Sequence, residues 1–160
     1  MKKIYLTIIF IFLSQCGYTS LYKDAGKVDI NITVEKIEGD NYINNLIRTQ
    51  LQSYKSENTK EIFVVSIKTE FSKSTVTKDK SGNTSVLLLS AKTLFEVKFN
   101  GKEYKYFFEE DLNVNKSSNS NEESKYEDIV KKNFAETIKN KLILRLIELK
   151  WSLSHPKVKK

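Results

Sequence analysis

Reactive residues are scarce in this sequence. Its 160 residues hold one cysteine, Cys16, one histidine, His155, one proline and one tryptophan. A single cysteine excludes an internal disulfide and a thiolate metal cluster. A single histidine, beside Pro156 and with no partners in sequence, is expected to be a solvated tail residue. The five glycines never cluster, so no phosphate-cradling loop is formed. No G-x-S-x-G elbow occurs. The acidic run Glu109-Glu110-Asp111 lacks the turn glycine of a hard-cation cage and reads as a solvated strand end. No apolar run approaches the roughly 20 residues that span a bilayer. The expectation is a single domain with no catalytic residues, no metal and no cofactor.

The charge balance is basic but diffuse. There are 27 Lys+Arg against 20 Asp+Glu, a net charge of +7. Lysines predominate and are scattered. A nucleic-acid reader more often carries clustered arginine with interleaved aromatics, so no nucleic-acid partner is expected. Lys2 and Lys3 are two of the 27, and without them 25 bases face 20 acids, or +5. That balance suits an anionic lipid or glycolipid.

Those two lysines open a basic segment, followed by the apolar run Ile4 to Leu13. This is the anatomy of an export signal. Leu13-Ser14-Gln15-Cys16 resembles the bacterial lipobox, with Gln15 where a glycine, alanine or serine is usual. Cys16 is thus read as the acylation point of a lipoprotein. The covalent lipid is the only non-protein group expected. One acyl chain anchors marginally, while two or more hold a protein stably at a membrane. Residues 1–15 are the expected signal, 16–26 a tether, 27–153 the domain and 154–160 a basic tail.

Within the domain the periodicities are clear. Val28, Ile30, Ile32 and Val34 alternate with polar residues, a strand with one buried face over Val28–Glu35. Asp40 is placed to cap a helix over Asn41–Tyr54, with Ile43, Leu46, Ile47, Leu51 and Tyr54 inward and Asn44 facing away. A second strand is expected over Glu61–Ser72 and a third over Thr84–Phe99. Between them Lys80-Ser81-Gly82 forms a turn, with Gly82 left-handed. Asn100-Gly101 is a type I′ hairpin signal. A two-residue loop there pairs Val97 with Tyr104, Phe95 with Tyr106 and Thr93 with Phe108. It also sets Lys98 against Glu103, Glu96 against Lys105, and Lys92 against Glu109. Lys116–Glu123 reads as a polar linker. A long helix follows over Ser124–Leu149, with Tyr126, Val130, Phe134, Ile138, Leu142 and Leu146 stepping by four. Ile129 and Leu149 lie alongside. The order β-α-β-β-β-α defines an α/β (α+β) two-layer sandwich. Its four-stranded mixed sheet carries both helices on one face.

Two sets of residues stand out as binding candidates. Lys73, Lys78, Lys80 and Lys92 surround the second turn and can meet phosphates as point charges, or can keep a strand edge soluble. Near the end of the last helix apolar residues point almost all round. Leu144, Ile147 and Trp151 are then either wrapped by the domain or presented to a partner.

Cys16-Gly17-Tyr18-Thr19-Ser20-Leu21-Tyr22 resembles the mature start of the lipopolysaccharide-assembly lipoproteins, the LptE family, with Ser20 in place of that family's proline. The element order and length also match. The resemblance implies an outer-membrane lipoprotein on the periplasmic face, plugging the LptD β-barrel, assisting its folding and binding lipopolysaccharide without turnover. It assigns no individual lipid-contacting residue. The alternative is another periplasmic, lipid-anchored accessory lipoprotein of an envelope transport system.

Overall fold

A computed structural model of the chain describes residues 30–55 and 61–154. Cys16, the family-like stretch behind it, Val28 and His155 lie outside the described residues. The elements are β1 (Asn31–Gly39), α1 (Asn41–Leu51, continued by a 3-10 turn Gln52–Tyr54), β2 (Ile62–Lys78), β3 (Thr84–Phe99), β4 (Lys102–Asn115) and α2 (Ser120–Ser154). The strands lie in the order β1-β2-β3-β4. β1 runs parallel to β2 across the α1 crossover, and the other pairs are antiparallel. Both helices pack on one face of this mixed sheet over a single core. This is the expected β-α-β-β-β-α sandwich.

β1 ends later than the periodicity predicts, at Gly39 rather than Glu35. Ile30 and Ile32 are buried as expected. The register then shifts between Val34 and Lys36, so Glu35 is an extra residue. That bulge puts Ile37, otherwise out of phase, against the core. The strand ends at Gly39, whose φ is +88°. A Cβ there would sit 2.0 Å from the Thr69 carbonyl oxygen. The same carbonyl accepts the Asp40 N–H at 2.8 Å, so the turn into α1 is pinned to β2. Asp40 caps α1 by accepting from the Ile43 N–H at 2.9 Å. Asn44 is a correction: it is fully buried rather than outward, because its amide reaches back to the Glu38 carbonyl at 2.6 Å.

β2 extends to Lys78, six residues past the expected Ser72. Residues 72–78 are exposed, so hydrophobic alternation is absent and the strand is held by pairing with β3. Hydroxyl pairs Thr75–Thr84 and Thr77–Ser85 bridge it to β3. At the turn Gly82 has φ +82°, and Asp79 accepts from the Ser81 and Asn83 N–H groups at 2.8 and 2.9 Å. Asn100 and Gly101 both take positive φ, 49° and 72°, as a type I′ turn requires. Every cross-strand pair expected from that turn is found. Two of the three charge pairs close, Lys105–Glu96 at 2.6 Å and Lys92–Glu109 at 2.9 Å. Lys98 instead turns across the sheet to Glu35 at 3.5 Å. Phe63 and Phe99 stack beneath this end with centroids 3.9 Å apart.

α2 begins at Ser120, inside the stretch that reads as linker, and continues to Ser154. Asn119 explains the early start: its side-chain oxygen accepts from the Asn121 N–H at 3.0 Å and satisfies a free donor of the first turn. Val130, Phe134, Ile138, Leu142 and Leu146 are buried, as the four-residue step predicts. Tyr126 and Ile129, expected on that inward stripe, are instead about half exposed.

Candidate functional site

The antiparallel course of α2 over the sheet gives the domain two distinct ends. Lys73 of β2 meets Glu123 and Glu127 near the start of α2, and Lys141 further along meets Glu110 of β4. Arg145, Glu148 and Ser152 then lie along a trough beside Lys105–Phe108. The helix therefore starts at the end of the Asp79–Asn83 turn and finishes at the end of the Asn100–Gly101 turn.

At the first end α2 stands away from the extended β2–β3 arm and leaves a cleft of about 430 Å³. Leu87 and Leu89 of β3 and Val114 of β4 form its floor, and Tyr126 of α2 a wall. Lys73 and the carboxylates of Glu122, Glu123 and Glu127 line it as well. Lys73 ties the arm to the helix, with its amine 3.4 Å from Glu127 and in contact with Glu123. The hydrogen bond to Glu123 raises the Lys73 ammonium above its ordinary range, against the opposing effect of burial. Burial alone would raise the Glu127 carboxyl, but Lys131 at 3.0 Å and Lys73 together hold it below its usual value. Lys131 also sits over the Phe71 ring, 4.2 Å from its centroid. An apolar floor ringed by paired charges can seat a ligand that is partly apolar and partly polar.

The four candidate lysines are not brought into one cluster. Lys73 points to the helix side and is engaged by two glutamates. Lys92 is on the opposite face, paired with Glu109. Lys78 precedes the exposed turn and Lys80 lies within it, and no ion pair is formed there among the described residues. The outer face of the sheet is tiled by further pairs, including Lys68–Glu70 at 3.7 Å and Lys36 with Glu38.

At the second end Leu144 and Trp151 lie seven residues apart on one face of α2 and are 51% and 64% exposed. Ile147 is half-buried against the core. Leu153, beyond the expected end of the helix, is 41% exposed. The cleft was not legible as a site: Leu87, Leu89 and Tyr126 read as ordinary core, and Val114 lies past the pairs expected from the hairpin. The one signal that could have found them is the polar continuation of β2, which pairs with β3 without covering it. No group of three or more His, Cys, Asp and Glu able to hold a metal occurs among the described residues. None of their helices is long and apolar enough to cross a membrane.

This architecture is shared with bacterial proteins of known structure that bear lipoprotein names. The rare lipoprotein B from Shewanella oneidensis aligns with a TM-score of 0.60 at 14% identity, covering 77% of this chain and 100% of its own. A putative lipoprotein from Caulobacter crescentus CB15 aligns at 0.54 and 15% identity, covering 85% and 98%. Lipoprotein B from Nitrosomonas europaea aligns at 0.50 and 10% identity, covering 81% and 94%. At these identities the likeness establishes the fold. No family model and no curated protein matches the chain.

Proposed function

We propose that this chain is an outer-membrane lipoprotein, acylated at Cys16, that plugs the LptD β-barrel and assists the insertion of lipopolysaccharide. The observation that carries the reading is a coincidence of independent features. The whole length of the Shewanella rare lipoprotein B aligns with the described fold. A lone cysteine follows a short apolar signal, and Cys16–Tyr22 resembles the LptE family's mature start. In this reading the protein is an assembly module without turnover. Its mild positive charge suits a phosphorylated glycolipid, and its ion-paired outer sheet face suits the polar interior of a large barrel. Depleting the protein from the cell that makes it should strip lipopolysaccharide from the surface, measured by surface labelling. Unchanged surface lipopolysaccharide would contradict the role.

The cleft favours a second reading, an accessory lipoprotein of an envelope transport system that captures a ligand by itself. Under that reading the purified domain binds its ligand without any barrel, and replacing the exposed cleft wall by Tyr126→Ala weakens binding.

A further inference from the structure

We infer that two copies of this chain pair through the free edge of β4, antiparallel, about a two-fold axis at Phe108. The inference stands apart from the plug reading, since it concerns the protein without a barrel. Three observations carry it.

The first is a contrast between the two edges of the sheet. β1 is nine residues long and bulged at Glu35, a device that turns an edge away from further pairing. β4 runs for 14 residues and contains no proline. It pairs with β3 without a break in register, and no strand lies on its other side among the described residues. An edge of that length and regularity is a template for another strand.

The second is what the edge offers. Phe99 and Lys102 close the two-residue hairpin, and in the same phase the Lys116 N–H donates to the Ser85 carbonyl at 3.0 Å. Bonded and non-bonded pairs alternate along an antiparallel ladder, so the even-numbered residues of β4 bond to β3. The odd-numbered residues from Glu103 to Asn115 turn their N–H and C=O groups to the free edge. Leu112, opposite the buried Leu89, is nevertheless 38% exposed.

The third is that the edge is complementary to itself in one register. An axis at Phe108 sets Lys105 of each copy opposite Asp111 of the other, and Tyr104 opposite Leu112. Lys105 also meets Glu96 of its own sheet at 2.6 Å, and an ammonium has donors for both carboxylates. Like charges directly opposite each other destabilise a strand pair. A slip of two residues sets Glu103 against Asp111, or Glu109 against itself. A slip of four sets Glu103 against Glu109, or Glu110 against itself, and a slip of six sets Lys105 or Asp111 against itself. The register at Phe108 opposes no like charges and pairs nearly the whole strand. It also lets Tyr104 of one copy cover Leu112 of the other.

The acylated chain is examined in mild detergent with micelles in excess, so that lipid anchors do not force association. Sedimentation equilibrium should give the mass of one chain at micromolar concentration and twice that mass at millimolar. Phe107→Pro removes an N–H that points to the free edge, where proline is tolerated. It should keep the wild-type circular dichroism spectrum and the mass of one chain throughout. The register is read by cross-linking. Lys105→Cys and Asp111→Cys are both at exposed positions. Mixed under oxidation they should form a heterodisulfide, since their Cα atoms come within about 5.5 Å across the junction. Neither should cross-link to itself, because two copies of either position lie six residues apart, about 20 Å. One chain's mass at every concentration overturns the inference. So do self-disulfides as abundant as the mixed one, or a two-chain mass that persists in folded Phe107→Pro. If Phe107→Pro does not fold, the cross-links decide: a mixed disulfide without self-disulfides upholds the pairing, and its absence overturns it.

Discussion

Gly39 shows how one residue can carry a fold's connection. Its positive φ, and the Thr69 carbonyl where a Cβ would lie, leave no room for alanine. Gly39→Ala should cost at least about 2 kcal/mol of stability in urea unfolding. Gly82→Ala, at a similar φ but in open space, should cost about 1 kcal/mol. Equal losses would remove the role given to the Thr69 contact. The sequence marks Gly82 by its turn neighbours, yet Gly39 reads only as punctuation, because the close approach comes from a strand 30 residues away. Glu127 is similarly silent in sequence. Its folded carboxyl is depressed by Lys131 and Lys73, so its stabilisation is present above the unfolded value, about pH 4.3. It is lost as pH falls through the lower folded value. Between pH 6 and 3 the urea midpoint of Glu127→Gln should fall less steeply than that of the wild type. Parallel falls would contradict the assignment.

Among the elements, the Asn100–Gly101 hairpin was the most legible, since two positive-φ residues and alternating aromatics admit a single register. The distal half of β2 was the least legible. Ser72–Lys78 has no buried alternation, and its strand character comes from β3 beside it. The start of α2 was misplaced for a related reason. A serine- and asparagine-rich run reads as loop, but the same residues are good helix caps once an apolar stripe follows. Asn119→Ala should destabilise the domain by about 1 kcal/mol. The change should appear in hydrogen exchange as fraying of the first turn of α2, and unchanged protection there would remove Asn119 from the capping role. Because that turn walls the cleft, the misplacement also hid the cleft from sequence reading.

For the whole molecule, the layer order followed from counting elements. The functional geometry did not, because it depends on where α2 crosses the sheet. That crossing puts the cleft at one end and the exposed Trp151 at the other, where β1 begins. Strand alternation, by contrast, sets Lys73 and Lys92 on opposite faces of the sheet, with Lys78 and Lys80 at the exposed turn. The proposed plug would present its surfaces to the inside of another protein, and the paired charges of the outer sheet face fit that proposal. The central claim is therefore a partnership. The direct measurement is an affinity pull-down of the tagged, acylated protein from mildly solubilised envelopes, with bound proteins identified by mass spectrometry. The account predicts a large outer-membrane β-barrel protein in a stable complex with it. Recovery of the protein with no such barrel would contradict the account.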